Sequence, residues 1–220
     1  MRKFKIQLKT LGLATVGWSH PGAVKADIMF ARRYRYDGEY TVYIPGTSLK
    51  GALRSSASRI AKAYGFASCG ETLVGRVHQT SGEVGLEDCA VCHLFGHPGK
   101  GFSKVVVDDL IPLENKNVET HRVTHVGLDD SKLTRAEHKL YTVEVIPPYT
   151  IFEGSVEVED SVVGGGIKLL MLSMAELRLG RFGKNAAVDL RVVDGLNQVS
   201  GILGRDEARR LEGLGEWVWD

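Results

Sequence analysis

Tyr43-Ile44-Pro45-Gly46-Thr47-Ser48-Leu49-Lys50-Gly51-Ala52-Leu53-Arg54, continuing as SSASRIAKAY to Tyr64, is the stretch on which the reading of this chain turns. Tyr43-Ile44 closes a short apolar run, and Pro45-Gly46 breaks it. Thr47 or Ser48 can cap the turn that follows. Leu49, Ala52, Leu53, Ala57, Ile60 and Tyr64 then recur at helical spacing and predict one buried face. Gly65 is placed to end the helix. Lys50 and Arg54 lie one turn apart near the helix start, where unpaired N–H groups and the positive dipole end favour an anion such as phosphate. Spacing alone fits an ordinary amphipathic helix better, with both cations facing water.

The flanks supply a sheet. Phe4, Ile6 and Leu8 alternate with Lys3, Lys5, Gln7 and Lys9, the pattern of a half-buried strand, extended by Leu11 and Leu13. Gly17 to Gly22 reads as a loop, followed by a short extended piece to Phe30 and the cluster Arg32, Arg33, Arg35. Asp37-Gly38 signals a turn, and Tyr40 to Ile44 returns as a strand. After the helix, Val105 to Val107 reads as a buried strand. Tyr141 to Val145 and Phe152 to Val158 are two strand pieces around Pro147-Pro148. Gly164-Gly165-Gly166 opens a second helix with no GK[ST] ending, so no nucleotide-triphosphate loop is expected. Val188, Leu190 and Val192 close the pattern, and Arg205 to Leu211 reads as a short helix before Trp217 and Trp219. The order β-α-β-β-α-β predicts an α+β protein with a ferredoxin-like (RRM-like) core and long insertions, one domain over residues 1–220.

Composition narrows the classes. The chain has 220 residues, 43% of them hydrophobic, and a formal net charge of +1. No run of eighteen apolar residues exists, so no membrane span is expected. MRKFKIQLKT lacks the apolar block of a signal peptide, and a cytoplasmic location is the expectation. A free-standing nucleic-acid binder is usually more basic, so clustering of charge matters more here than its sum. Three cysteines argue against a disulfide framework.

Cys89-Ala90-Val91-Cys92 is a CxxC knuckle whose spacing suits two thiolates on one tetrahedral metal. Cys69 and His78 precede it and complete a candidate structural zinc (Zn2+) site; His93 and His97 are the other candidates. The site would tie down the glycine-containing stretch Gly65 to Gly85, and residues 66–104 read as a cysteine-containing insertion. A thioredoxin-like context for the CxxC is absent.

The motif IPGTSLKGALRS after a strand resembles the (I/V)PGSSLKG(A/V)(L/I)R signature of the RAMP superfamily of CRISPR-associated proteins. Cys92-His93-Leu94-Phe95-Gly96 and LYTVEVIPPYTIFEG (Leu140 to Gly154) resemble the same family, in the same order. Closest are the repeated backbone subunits of type III (Csm/Cmr-like) effector complexes, and similar zinc sites occur in some members.

The resemblance implies guide RNA (crRNA) and complementary target RNA as partners, with other copies of the chain and other effector subunits. It implies RNA-backbone contacts at Lys50 and Arg54. It makes residues 110–140 a projecting hairpin, or thumb, with RNA contacts at His121, Arg122 and His125. It places the loop of Arg181, Lys184 and Asn185 against RNA. Asp27 resembles the aspartate that cuts target RNA, with Asp37 as the alternative, and a carboxylate there can act as base or hold Mg2+ or another divalent ion. Two rivals share the fold. One is a stand-alone endoribonuclease maturing guide precursors, in which His20 takes the acid–base role. The other is a purely structural subunit.

Overall fold

A computed structural model describes residues 1–18, 26–34, 38–70, 88–97, 101–114, 118–129, 134–184, 186–204, 208–209 and 211–219. Strand β1 (Arg2–Thr10) is followed by the short pairs β2 (Gly17–Trp18) with β3 (Met29–Phe30) and β4 (Arg32–Tyr34) with β5 (Tyr40–Val42). Then come helix α1 (Gly46–Ile60), helix α2 (Ala90–Phe95) and strands β6 (Val105–Val107) and β7 (Ile111–Pro112). A long hairpin, β8 (His121–Asp129) and β9 (Thr134–Val145), leads to β10 (Ile151–Val158), helix α3 (Gly164–Leu177), strand β11 (Val188–Asp194) and a short helix, α4 (Asn197–Ser200).

The main sheet runs β11-β1-β10-β6, with β7 also on β10, and every pairing is antiparallel. With α1 after β1 and α3 after β10, this is the ferredoxin-like α+β fold that the sequence order predicts. Alternation sorts the faces. Phe4, Ile6 and Leu8 of β1, Val156 and Val158 of β10, and Leu190 and Val192 of β11 are buried beneath the helices. Leu49, Leu53 and Ala57 of α1 and Ile167, Leu170 and Met174 of α3 close over them. Each of the larger of these side chains contributes about 1.5–3 kcal/mol by leaving water. The opposite sheet face carries paired charge: Lys3 Nζ lies 2.8 Å from Glu157 and Lys5 Nζ 2.8 Å from Glu153.

Several local expectations change. The helix begins at Gly46, and neither Thr47 nor Ser48 caps it. The Gly46 amide donates instead to Asp109 Oδ1 at 2.9 Å, so a carboxylate from the sheet side already sits at the positive helix end. A Cβ on Gly46 would come within 2.0 Å of the Val107 carbonyl oxygen. That glycine lets α1 start hard against β6. At the far end Tyr64 is exposed and Ala61 buried, because the last turn tightens into a 3-10 turn (Lys62–Tyr64) ending at left-handed Gly65. Leu13 is exposed, since β1 stops at Thr10. Val106 is exposed on the edge strand β6. Trp217 packs on the body, with Lys9 and Arg191 over its ring. The 205–211 helix falls mostly outside the described residues.

Candidate nucleic-acid interface and metal centre

The base of the β8–β9 hairpin gathers most of the candidate chemistry. Residues 27 and 28 run along the free edge of β9, parallel to it, with Ile28 opposite Val143. Asp27 donates its amide to the Thr142 carbonyl at 2.9 Å. Its Oδ2 accepts the Thr142 N–H at 2.6 Å, which orients an otherwise exposed carboxylate.

One position along β9, Tyr141 pairs with His125 across the hairpin, and the two rings stack with centroids 5.2 Å apart. Lys184 Nζ stands 4.0 Å over the Tyr141 ring. It arrives there because Gly183, at φ +56°, lets the loop lie on Thr15, whose carbonyl oxygen would be 2.2 Å from a Cβ at that glycine. The Lys184 amide then donates to Thr15 O at 3.2 Å. His125 and Lys184 are exposed and Tyr141 is half-buried, so the group is accessible.

Glu144 latches this region. Its carboxylate takes both arms of the Arg32 fork, the Phe30 amide at 2.9 Å and the Thr120 hydroxyl at 2.8 Å. Burial alone would push this carboxyl up. The Arg32 guanidinium and the amide and hydroxyl donors outweigh burial and hold it at about 2.

The remaining candidates are scattered. His121 shares the His125 face of β8, whereas alternation puts Arg122 on the other face. Arg181 is exposed on the loop of Lys184. Asn185, His20, Asp37 and His78 lie outside the described residues. Lys50 is half-buried on α1, and burial, then the nearby Arg54 charge, lowers its pKa.

Arg54 departs from the expectation of an exposed cation. Its fork reaches the Gly96 carbonyl and donates to Cys92 Sγ at 3.3 Å. It is a strut between α1 and the CxxC knuckle.

The knuckle brings Cys69, Cys89 and Cys92 together, their sulfurs all within 4.8 Å of one another. Cys89 and Cys69 sulfurs are 3.7 Å apart, far beyond a disulfide bond of about 2.05 Å. Tetrahedral zinc with Zn–S bonds of about 2.3 Å needs sulfurs about 3.8 Å apart. The three thiols therefore fit such an ion. Neither His93 nor His97 joins them; His93 Nε2 meets Lys104 Nζ at 2.9 Å. Burial, then the Cys89 charge, pushes the Cys92 thiol up to about 12. Burial also opposes the Cys89 thiolate, but the Cys69 and Cys92 amides lead the groups that lower its pKa. A divalent cation would supply the charge that three ionised sulfurs need.

Among the described residues no comparable site surrounds Asp27. Among the described residues the cysteine trio is the only group of three metal-ligating side chains able to meet one ion. The divalent ion expected at Asp27 has no cage built from them.

Tyr141 and Glu144 were not legible as site residues. In sequence both are simply positions of the strand piece Tyr141 to Val145.

A family model described as RAMPs, the RAMP superfamily, matches residues 22–187. The chain belongs to the RAMP superfamily. That span takes in the α1 motif, the knuckle, the hairpin and Lys184, and the family carries a CRISPR-associated RNA-binding role. No curated protein matches this RAMP chain. Among its described residues no helix is long and apolar enough to cross a membrane.

The metal reading has a direct check. Protein purified without added zinc should carry about one equivalent per chain, since a tetrahedral site takes one ion. Arg54→Ala should weaken zinc retention against a chelating dye about 10- to 100-fold, because Arg54 donates to a ligand sulfur. Absence of zinc and iron, with all three thiols titrating freely, would end the reading.

Proposed function

We propose that this RAMP protein lines the guide RNA of a type III CRISPR effector, several copies stacking along it, and that it cuts guide-paired target RNA at regular intervals. The observation that carries the reading is the juxtaposition at the hairpin base. Asp27, its carboxylate oriented by the Thr142 amide, lies along β9 beside the residue that follows Tyr141, and the Tyr141 ring carries His125 stacked on it and the Lys184 cation over it. A phosphodiester cut by its own 2′-hydroxyl needs a base for that proton, positive charge on the phosphorane and an acid for the leaving 5′-oxygen. Asp27 takes the first role, and Lys184 and His125 share the others. Lys50, His121, Arg122, Arg181 and Asn185 contact the RNA backbone, with Arg54 acting mainly through the knuckle.

RNA recovered with the native protein tests the assignment. Small RNAs of discrete lengths sharing a repeat-derived end are expected. Heterogeneous fragments, or none, would sink it.

Affinity carried by phosphate contacts depends on salt and little on base sequence. Lys50→Ala should therefore weaken binding equally for unrelated guide sequences and flatten the salt dependence by about one unit of slope. Filter binding across a salt series measures both. An unchanged slope returns Lys50 to an ordinary helix-face lysine.

One observation favours a second reading. A His and a Lys that both sit against one Tyr ring also suit a stand-alone endoribonuclease that matures guide precursors, with His125 in the acid–base role. Incubating the isolated chain with repeat RNA separates the two: site-specific cutting without target favours the processing enzyme.

A further inference from the structure

The Arg- and Tyr-rich ribbon β4–β5 has no part in the site above. Tyr34 and Tyr40 face each other in register across it. Their rings meet edge to face, centroids 5.2 Å apart at 69°. Yet they remain 65% and 66% exposed. An edge-to-face pair holds both rings still and leaves aromatic surface open to water.

Alternation places the pair on the same ribbon face as Arg32. The Arg32 fork is bound to Glu144 at the hairpin base. The pair therefore stands two residues beyond a fixed clamp, beside the hairpin rather than on a free arm. Arg33 is exposed on the opposite ribbon face.

A flat, mostly uncharged, sequence-tolerant ligand is what such surface takes. Every nucleobase has a π face, and exposed aromatic side chains are a recurrent platform for single-stranded RNA. A protein partner would more often bury such rings in a wider apolar patch. Among the described residues, the ribbon positions next to the pair are Arg33, Glu39 and Thr41.

We propose that Tyr34 and Tyr40 form a stacking platform for one unpaired nucleobase of RNA bound across the base of the β8–β9 hairpin. The inference needs the RNA binding of the family but not the type III placement or any cleavage. Stacking adds affinity with little salt dependence, unlike the phosphate contacts of Lys50. The two contributions are therefore separable in one experiment.

The probe is a short single-stranded RNA carrying 2-aminopurine, whose fluorescence is quenched by stacking, titrated with the full chain at several salt concentrations. Tyr34→Ala with Tyr40→Ala should weaken binding roughly 5- to 150-fold. It should abolish the quenching and leave the salt slope unchanged. Tyr34→Phe with Tyr40→Phe should bind and quench like the wild type, since the ring face and not the hydroxyl is used. A thermal melt of the alanine variant should match the wild type, because both rings are exposed. Equal affinity and quenching in the alanine variant overturn the proposal. So does an alanine variant that keeps its RNA affinity but loses self-association in sedimentation, which would make the pair a contact between copies. Wild-type protein that binds no RNA overturns this inference together with the functional reading. Binding that survives without the tyrosines overturns this inference alone.

Discussion

Glu144→Ala should cost about 3–5 kcal/mol of folding stability, the range for removing one partner of a buried ion pair. The loss has several parts. Arg32 would keep a partly buried charge with no carboxylate. The buried Phe30 amide would lose its acceptor, and the Thr120 hydroxyl the acceptor of its proton. Those residues join the first loop, the β4–β5 ribbon and the hairpin. The damage should therefore spread to the site, with weakened protection of the Thr142 and Glu144 amides in hydrogen exchange.

The carboxyl is held at about 2 against an ordinary value of 4.5. A depressed carboxylate contributes stability that is fully present above its unfolded value and lost as pH falls through the folded one. The latch should thus act in full above about pH 4.5 and fade toward pH 2, a swing of about 2–3 kcal/mol after allowance for solvent screening. Urea unfolding of wild type and Glu144→Ala between pH 7 and pH 3 checks both parts. The stability gap should narrow as pH falls. A gap below about 1 kcal/mol at pH 7, or one that does not change with pH, is incompatible with the latch.

The sheet, both long helices and their order were legible because hydrophobic periodicity is local and the buried faces obey it. Phe4-Ile6-Leu8 and Leu49-Leu53-Ala57 are in the core as the spacing predicts. What failed locally was chemistry supplied from far along the chain. Nothing near Gly46 announces that Asp109 caps it, and nothing near Arg54 announces the Cys92 sulfur. Likewise Glu144 reads as a strand's outward polar residue until the first loop is laid on β9 and brings Arg32 and the Phe30 amide to it. Asp27 and Lys184 were legible only through the family motif. Tyr141 was not, since an aromatic at an alternating position looks like core, and only the stacked His125 and the overlying Lys184 show otherwise.

On the proposed function, Asp27→Ala should reduce cutting of guide-paired target RNA about 10²- to 10⁴-fold, the usual share of a general base. Guide and target binding should persist, because a carboxylate adds nothing favourable to phosphate binding by itself. The geometry behind this is the hairpin's place. A hairpin that displaces one nucleotide of the guide–target duplex leaves a target phosphate free to reach the in-line arrangement that 2′-hydroxyl attack requires. The hydroxyl proton passes to the Asp27 carboxylate, O2′ bonds to phosphorus, and the bond to the 5′-oxygen breaks as that oxygen takes a proton from Lys184 or His125. Products should end in a 2′,3′-cyclic phosphate and a 5′-hydroxyl, and 2′-deoxy nucleotides at the cut positions should block the reaction. Alanine alone is ambiguous, since Asp27 Oδ2 also accepts the Thr142 N–H. Asp27→Asn keeps an acceptor for that amide and removes the base. Both variants should therefore fail to cut, at unchanged affinity. Cutting that survives in Asp27→Asn but not in Asp27→Ala would make the residue a brace for β9. Cutting that survives in both would move the base to Asp37 or leave the chain a scaffold.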